Sequence, residues 1–213
     1  MRKAQLAEGE YYHIFNRGVD KREIFSDHLD KQRFFRSMDE FNTLDPIGSI
    51  YENFFRDRKE KNKSKKKLVG FVCFCLNPNH YHFILKQTAE RGIEKFMQRL
   101  GTGYTKYFNK RHERAGVFFQ GAFKAVHIKS NSYLLHLSAY VNLNNRVHSL
   151  GSSTSMSMSS WREYTDNFSE KTFCVGKRVI LDDFENGEDY REFAEESLTA
   201  IKDKKDLEKL LIE

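Results

Sequence analysis

Leu76-Asn77-Pro78-Asn79-His80-Tyr81-His82-Phe83-Ile84-Leu85 is the stretch from which the rest of the chain can be read. Pro78 stands between two asparagines. Proline fixes its own φ and pushes its neighbour out of the helical region, so this point reads as a turn. The aromatic and β-branched run that follows reads as a strand. Alternation along a strand puts His80, His82 and Ile84 on one face and Tyr81, Phe83 and Leu85 on the other. Two imidazoles roughly 6–7 Å apart on one face can converge on a single metal ion at about 2.1 Å from each. A lone His-x-His pair is equally compatible with two half-exposed histidines on a sheet.

Working outward, Leu68 to Leu76 is apolar on both faces, as expected of a central strand, and pairs with the His80 strand as a hairpin. Upstream, Glu10 to Arg17 alternates aromatic and polar residues and reads as a first strand; Asn16 to Arg22 is a turn carrying three cations. A helix capped by Ser26 or Asp27 follows, with Phe34, Phe35, Met38 and Phe41 on its apolar face. Thr43 to Lys67 reads as an insertion or long loop whose Arg56–Lys67 portion holds eight basic and two acidic residues. Downstream, Ile93, Phe96, Met97, Leu100, Tyr104 and Tyr107 mark a helix over about Thr88–Arg111. Its Gly101 and Gly103 fit a close backbone approach to the sheet. Val117 to Ile128 reads as another aromatic strand with a bulge or close approach at Gly121. A helix capped by Ser130 or Asn131 continues through Asn144, placing Tyr140 and Asn144 one turn apart. The order β-α-(insert)-β-β-α-β-α predicts an α+β fold, a ferredoxin-like antiparallel sheet with helices packed on it.

The 213 residues include 36 basic and 30 acidic side chains, a net charge of +6, but the two signs are segregated. Leu181 to the end carries twelve acidic and five basic residues, leaving +13 on residues 1–180. Such a body suits a polyanion, most simply nucleic acid, although solvation alone also accounts for surface charge. Cys73, Cys75 and Cys174 are odd in number and lack zinc spacing, so they read as buried thiols of a reducing cytoplasm. No apolar run approaches a membrane span, and no signal-peptide core is visible. The segments divide as residues 1–148, a core with the basic insertion at 43–67; 149–160, a Ser-rich linker; and 161–213, an acidic, mostly helical appendage with no evident chemistry of its own.

Three blocks resemble, in order, the single-tyrosine transposases of the HUH nuclease superfamily, and among them the REP-associated tyrosine transposases of bacteria. Tyr12-His13-Ile14-Phe15-Asn16-Arg17-Gly18 resembles the family's opening strand and Asn-Arg-Gly turn. Leu76-Asn77-Pro78-Asn79-His80-Tyr81-His82 resembles its Met-Pro-Asn-His-hydrophobic-His signature. Tyr140-Val141-Asn142-Leu143-Asn144-Asn145-Arg146 resembles its Tyr-Ile-x-x-Asn-Pro-x-Arg block. Phe119 to Lys124 and Ser159 to Tyr164 are weaker echoes. The chain departs at Ala122, where relatives usually have Arg and use it as a DNA contact, at Asn145 in place of Pro, and at Leu76 in place of Met. The resemblance implies a metal site of His80, His82 and Asn144 that holds Mg²⁺ or Mn²⁺, with Tyr140 as nucleophile. It further implies a substrate of single-stranded DNA beside a hairpin in the bacterial nucleoid, and a monomer or homodimer. Arg17, Lys21, Arg22, Lys124 and Arg146 are the candidate phosphate contacts.

The chemistry fits those residue types. A phosphodiester is shielded by its own charge, which a cation on a nonbridging oxygen offsets. A phenol with a pKa near 10 attacks well only when its proton is lost or a cation is near. Attack stores the ester energy as phosphotyrosine, so a strand can be rejoined without ATP. Two other readings remain open. Gly70-Phe71-Val72-Cys73-Phe74 partly matches an RNA-recognition motif core, which would make the chain a binding module. The other is a different HUH enzyme, a replication initiator or relaxase.

Overall fold

A computed structural model describes residues 6–54, 66–147, 156–166 and 172–210. Most of the basic run at 56–67 and of the Ser-rich stretch at 149–160 lies outside them. The elements are β1 (Tyr11–Arg17), α1 (His28–Glu40), α2 (Ile50–Phe54), β2 (Val69–Asn77), β3 (His80–Gln87), α3 (Gly92–Arg111), β4 (Lys124–His127), α4 (Asn131–Asn142), α5 (Asn144–Val147), β5 (Met158–Ser159), α6 (Trp161–Thr165), α7 (Arg178–Leu181) and α8 (Gly187–Leu210). The strands form one antiparallel sheet in the order β4-β1-β3-β2-β5. Its first four strands, with α1 and α3 as crossovers, have the expected ferredoxin-like βαββαβ topology.

Local chemistry sets the element ends. The Asp27 carboxylate accepts from the Asp30 amide at 3.0 Å and caps α1, and Ser130 accepts from the Tyr133 amide at 3.3 Å and caps α4. The carbonyl of Pro78 at the hairpin tip accepts from the amides of Ile24 and Phe25, at 2.6 and 3.2 Å, and so anchors the tip to the segment leading into α1. Gly18 closes the following turn because a Cβ there would lie 2.2 Å from the Arg22 carbonyl. Gly103 of α3 makes a close approach, but to the ring of Phe41 (2.6 Å from an added Cβ) rather than to the sheet.

The two sheet faces are packed differently. Tyr12, Ile14, Phe71, Phe74, Tyr81, Phe83 and Leu85 form one core with Phe34 and Met38 of α1 and Phe96, Leu100 and Tyr104 of α3. The opposite core joins Val72, Cys73, Cys75 and Ile84 to Leu134, Leu137 and Val141 of α4 and Tyr190, Ala194 and Leu198 of α8. A register shift between Phe71 and Cys73 accounts for Val72 and Cys73 sharing a side.

Four expectations need correction. The strand expected over Val117–Ile128 is paired only at Lys124–His127, apart from one bridge between Gly18 and Phe119; Gly121 at φ 71° interrupts the extended run. The helix expected through Asn144 stops at Asn142 and restarts, with Leu143 between. The insertion contains α2, whose Ile50 packs with Ile47 and Phe41. The end of the linker is β5, paired with Cys75 and Leu76. Tyr190, Ala194 and Leu198 of the acidic tail pack into the second core.

Candidate active site

The site forms at the Pro78 end of the sheet, on the face away from α1 and α3. Register places its parts. His82 lies opposite Phe15 of β1 and Cys75 of β2, and His80 lies opposite Arg17 and Asn77. The His80 and His82 rings stand 5.2 Å apart at 89°. Tyr140 reaches over from α4, its ring edge-on to His82 at 5.6 Å and to His13 at 6.4 Å. Phe15 stacks on His82 at 5.6 Å and 19°.

Hydrogen bonds fix the polar groups. Asn77 is fully buried; its Oδ1 accepts from Ser157 Oγ at 3.0 Å and Cys75 Sγ at 3.6 Å, which turns Nδ2 inward. That Nδ2 donates to Asn144 Oδ1 at 2.8 Å and lies 2.9 Å from His80 Nε2. His80 Nδ1 lies 2.6 Å from Asn79 Oδ1, and Asn79 is itself oriented by donating from Nδ2 to the Lys21 carbonyl at 3.3 Å. An amide oxygen only accepts, so His80 carries its hydrogen on Nδ1 and keeps a lone pair on Nε2. His82 Nδ1 is likewise engaged, 2.9 Å from Nε2 of the buried His13.

Burial shapes the acid–base character. His13 is pushed down to about 4 by desolvation, so it is neutral at physiological pH. Burial raises the Tyr140 phenol above its ordinary value; the Asn144 amide pulls it down and Cys75 adds a smaller upward push. The three cysteines are free and buried, with Cys75 pushed up to about 12 by desolvation, which keeps it a neutral thiol.

A cavity of about 480 Å³ opens between these groups, lined by Tyr140, His80, His82, Phe15, Asn16, Asn79 and Gln120 together with the cations Arg17, Lys21 and Lys124. Among the described residues that line it there is no carboxylate. The Arg17 Nε–H donates to Gln120, and the Lys124 ammonium stands 5.8 Å over the Phe15 ring. Arg22 and Arg146 are not among the lining residues. Arg22 donates to the Val19 carbonyl at 3.1 Å and pairs with Asp20, whereas Arg146 pairs with Glu195 of α8 and stacks over Trp161 at 5.5 Å.

The donor set fits a hard divalent ion. His80 Nε2 and Asn144 Oδ1 are 3.0 Å apart and both face the N–H₂ of Asn77, so two acceptors are already gathered around a positively polarised group. Asn144 has no exposure, and its Nδ2 has no hydrogen-bond partner among the described residues. Imidazole nitrogen and amide oxygen suit Mn²⁺, and Mg²⁺ when water and phosphate complete its shell. Among the described residues no group of three or more His, Cys, Asp and Glu side chains could hold a metal; a third donor beside His80 and His82 would have to be an amide such as that of Asn144. Sequence reasoning missed Asn77 as the group joining His80 to Asn144, and it missed His13. Only the register of β1 on β3 reveals what His13 touches.

No curated protein matches the chain. Among solved structures, a REP-associated tyrosine transposase bound to a REP hairpin is similar at 11% identity, covering 70% of this chain and 73% of its own, with a TM-score of 0.49. A tRNA(His) guanylyltransferase from Saccharomyces cerevisiae is similar at 11% identity, covering 85% of this chain and 80% of its own, with a TM-score of 0.38. The family model described as "Transposase IS200 like" matches residues 8–144. That span begins just before β1 and ends on Asn144, the last of the site's side chains, and the chain belongs to the family of IS200-like transposases.

Proposed function

We propose that this chain cleaves and rejoins single-stranded DNA beside a hairpin, with the Tyr140 phenol as nucleophile. One observation carries the reading: Tyr140, His80 and His82 line the same cavity as Arg17, Lys21 and Lys124. A phosphate drawn in by the three cations would sit between the phenol and the imidazoles. Arg22 and Arg146 then act only on more distant parts of the strand.

In the forward step the Tyr140 oxygen bonds to phosphorus, the bond from phosphorus to the 3′ oxygen breaks, and the phenolic proton leaves as the 3′ oxygen gains one. The products are a 5′-phosphotyrosine and a free 3′ hydroxyl. A 3′ hydroxyl from another strand reverses the step and frees Tyr140. His80, His82 and Asn144 are the residues that would hold Mg²⁺ or Mn²⁺. When bound, the ion supplies positive charge against the nonbridging oxygens and the nucleophile. Tyr140 is protonated at neutral pH, and burial makes the loss of that proton harder still, so positive charge held by His80, His82 and Asn144 would favour the phenolate. Asn77 Nδ2 lies against both His80 Nε2 and Asn144 Oδ1; an ion on the single lone pair of His80 Nε2 would take its place there, while Asn77 would still donate to Asn144, and Phe15 fixes the plane of the His82 ring.

An RNA-recognition-like binding module needs an open sheet face for bases to stack on. Here Val72, Cys73 and Cys75 of the matching strand lie in the core beneath α4 and α8, which disfavours that alternative. The test is cleavage of a labelled single-stranded hairpin oligonucleotide in Mn²⁺. Tyr140→Phe is expected to abolish cleavage and leave binding within a few-fold, and chelator is expected to stop the wild type. Cleavage by Tyr140→Phe, or full activity in chelator, overturns the proposal.

A further inference from the structure

The geometry points to His13 as a positioning residue for His82, one that decides which ring nitrogen of His82 is available to a cation. The inference rests on the metal reading above and extends it to a residue outside the donor set.

His13 Nε2 and His82 Nδ1 are 2.9 Å apart, so one of the two nitrogens donates and the other accepts. A neutral imidazole has one N–H and one lone pair. If His13 donates, His82 accepts on Nδ1, carries its hydrogen on Nε2 and cannot bind an ion through that nitrogen. If His82 donates, its Nε2 keeps the lone pair. Only the second arrangement leaves His82 able to join His80 Nε2 and Asn144 Oδ1 as a donor.

The neighbouring histidine is held in the same way. Asn79 Oδ1 takes the Nδ1 hydrogen of His80 at 2.6 Å, which reserves Nε2 of that ring for the site. With its lone pair on Nε2, His13 would stand to His82 as Asn79 stands to His80. A second partner that orients a ligating imidazole through its other nitrogen is the usual way of fixing tautomer and ring direction. His13 is well placed for this role because it cannot move aside. It lies on β1, paired with Ile84 of β3 and Val126 of β4, and its ring packs on Phe15 at 4.8 Å and against the edge of Tyr140 at 6.4 Å. A histidine that merely filled the core would contribute packing and leave ion affinity alone.

Mn²⁺ titration by calorimetry on the full chain without DNA separates the two roles. His13→Phe retains an aromatic ring but removes the acceptor, and is expected to weaken Mn²⁺ binding roughly 10- to 100-fold. His13→Gln offers a carbonyl oxygen to His82 Nδ1 and is expected to recover most of that loss. A long-range ¹H–¹⁵N spectrum of the wild type needs no variant and is expected to show His82 as the Nδ1–H tautomer, with Nε2 shifting when Mg²⁺ is added. Wild-type Mn²⁺ affinity in His13→Phe, or an Nε2–H tautomer at His82, overturns the inference. Failure of the wild type to bind Mn²⁺, or binding unaffected by His80→Ala, overturns instead the metal reading it rests on.

Discussion

Tyr81, Phe83 and Leu85 on one face of β3 are sealed beneath α1 and α3, whereas their chain neighbours His80 and His82 border an open, cation-lined cavity on the other. The first face is rich in ring-on-ring packing: Phe83 touches Phe34, Phe71 and Tyr81 at centroid distances of 6.5, 5.4 and 4.7 Å. The second face is apolar only where α4 and α8 cover Ile84, Cys73 and Cys75. Toward Pro78 it gives way to histidine, asparagine and tyrosine joined by hydrogen bonds. One strand thus separates stability from chemistry by side-chain alternation, and the aromatic face supplies the rigidity that lets the other hold polar groups short of water.

That division can be broken on either side. The largest expected change in stability is from Phe83→Ala, at about 3–5 kcal/mol from lost contacts and the cavity left behind. It is read by urea unfolding; a loss below 1 kcal/mol would mean that the aromatic face is not the stabilising one. Next is Tyr190→Phe. The Tyr190 hydroxyl accepts from Asn142 Nδ2 at 2.8 Å and meets Ser138 Oγ at 3.0 Å, so its removal leaves a buried donor on the helix that carries Tyr140 and should cost about 1–3 kcal/mol. Slower cleavage is expected with it, because α8 steadies α4 through this bond; unchanged stability would separate the tail from the site. His80→Ala should then cost only about 1 kcal/mol, because water from the cavity it borders can replace the imidazole as a partner of Asn77 and Asn79, while cleavage disappears. A large stability loss with residual cleavage would invert the comparison. The smallest effect is on charge. Lys124→Ala should reduce the slope of log affinity against log salt by about 0.7, one phosphate on a single strand, and an unchanged slope would remove Lys124 from the DNA path.

Legibility in the sequence followed the range of the interactions. The Pro78 hairpin, the alternation of β3, and the Asp27 and Ser130 caps depend on residues a few positions apart, and local chemistry was enough to read them. The same rules overextended the strand at Val117–Ile128, because a turn at Gly121 with positive φ and the pairing limits of β1 decide where β4 begins. Contacts across the chain were out of reach. Nothing near Arg146 in sequence announces Glu195 as its partner, nothing near Tyr190 announces Asn142, and the meeting of His13 with His82 needs the register of two strands 69 positions apart. The resemblance placed Tyr140, His80, His82 and Asn144 as a set, yet the amide of Asn77 between two of them emerged only from the folded geometry.

The central claim is that the Tyr140 phenol becomes joined to the strand it cuts. A hairpin oligonucleotide labelled at its 3′ end in one sample and its 5′ end in another, incubated with protein and Mn²⁺ and run on a denaturing gel, tests it directly. The 3′-end label is expected to migrate with the protein, mapped by mass spectrometry to the peptide containing Tyr140, while the 5′-end label is released on a shorter strand ending in a 3′ hydroxyl. Cleavage without any adduct, an adduct on the 5′-labelled fragment, or one that persists in Tyr140→Phe would contradict it.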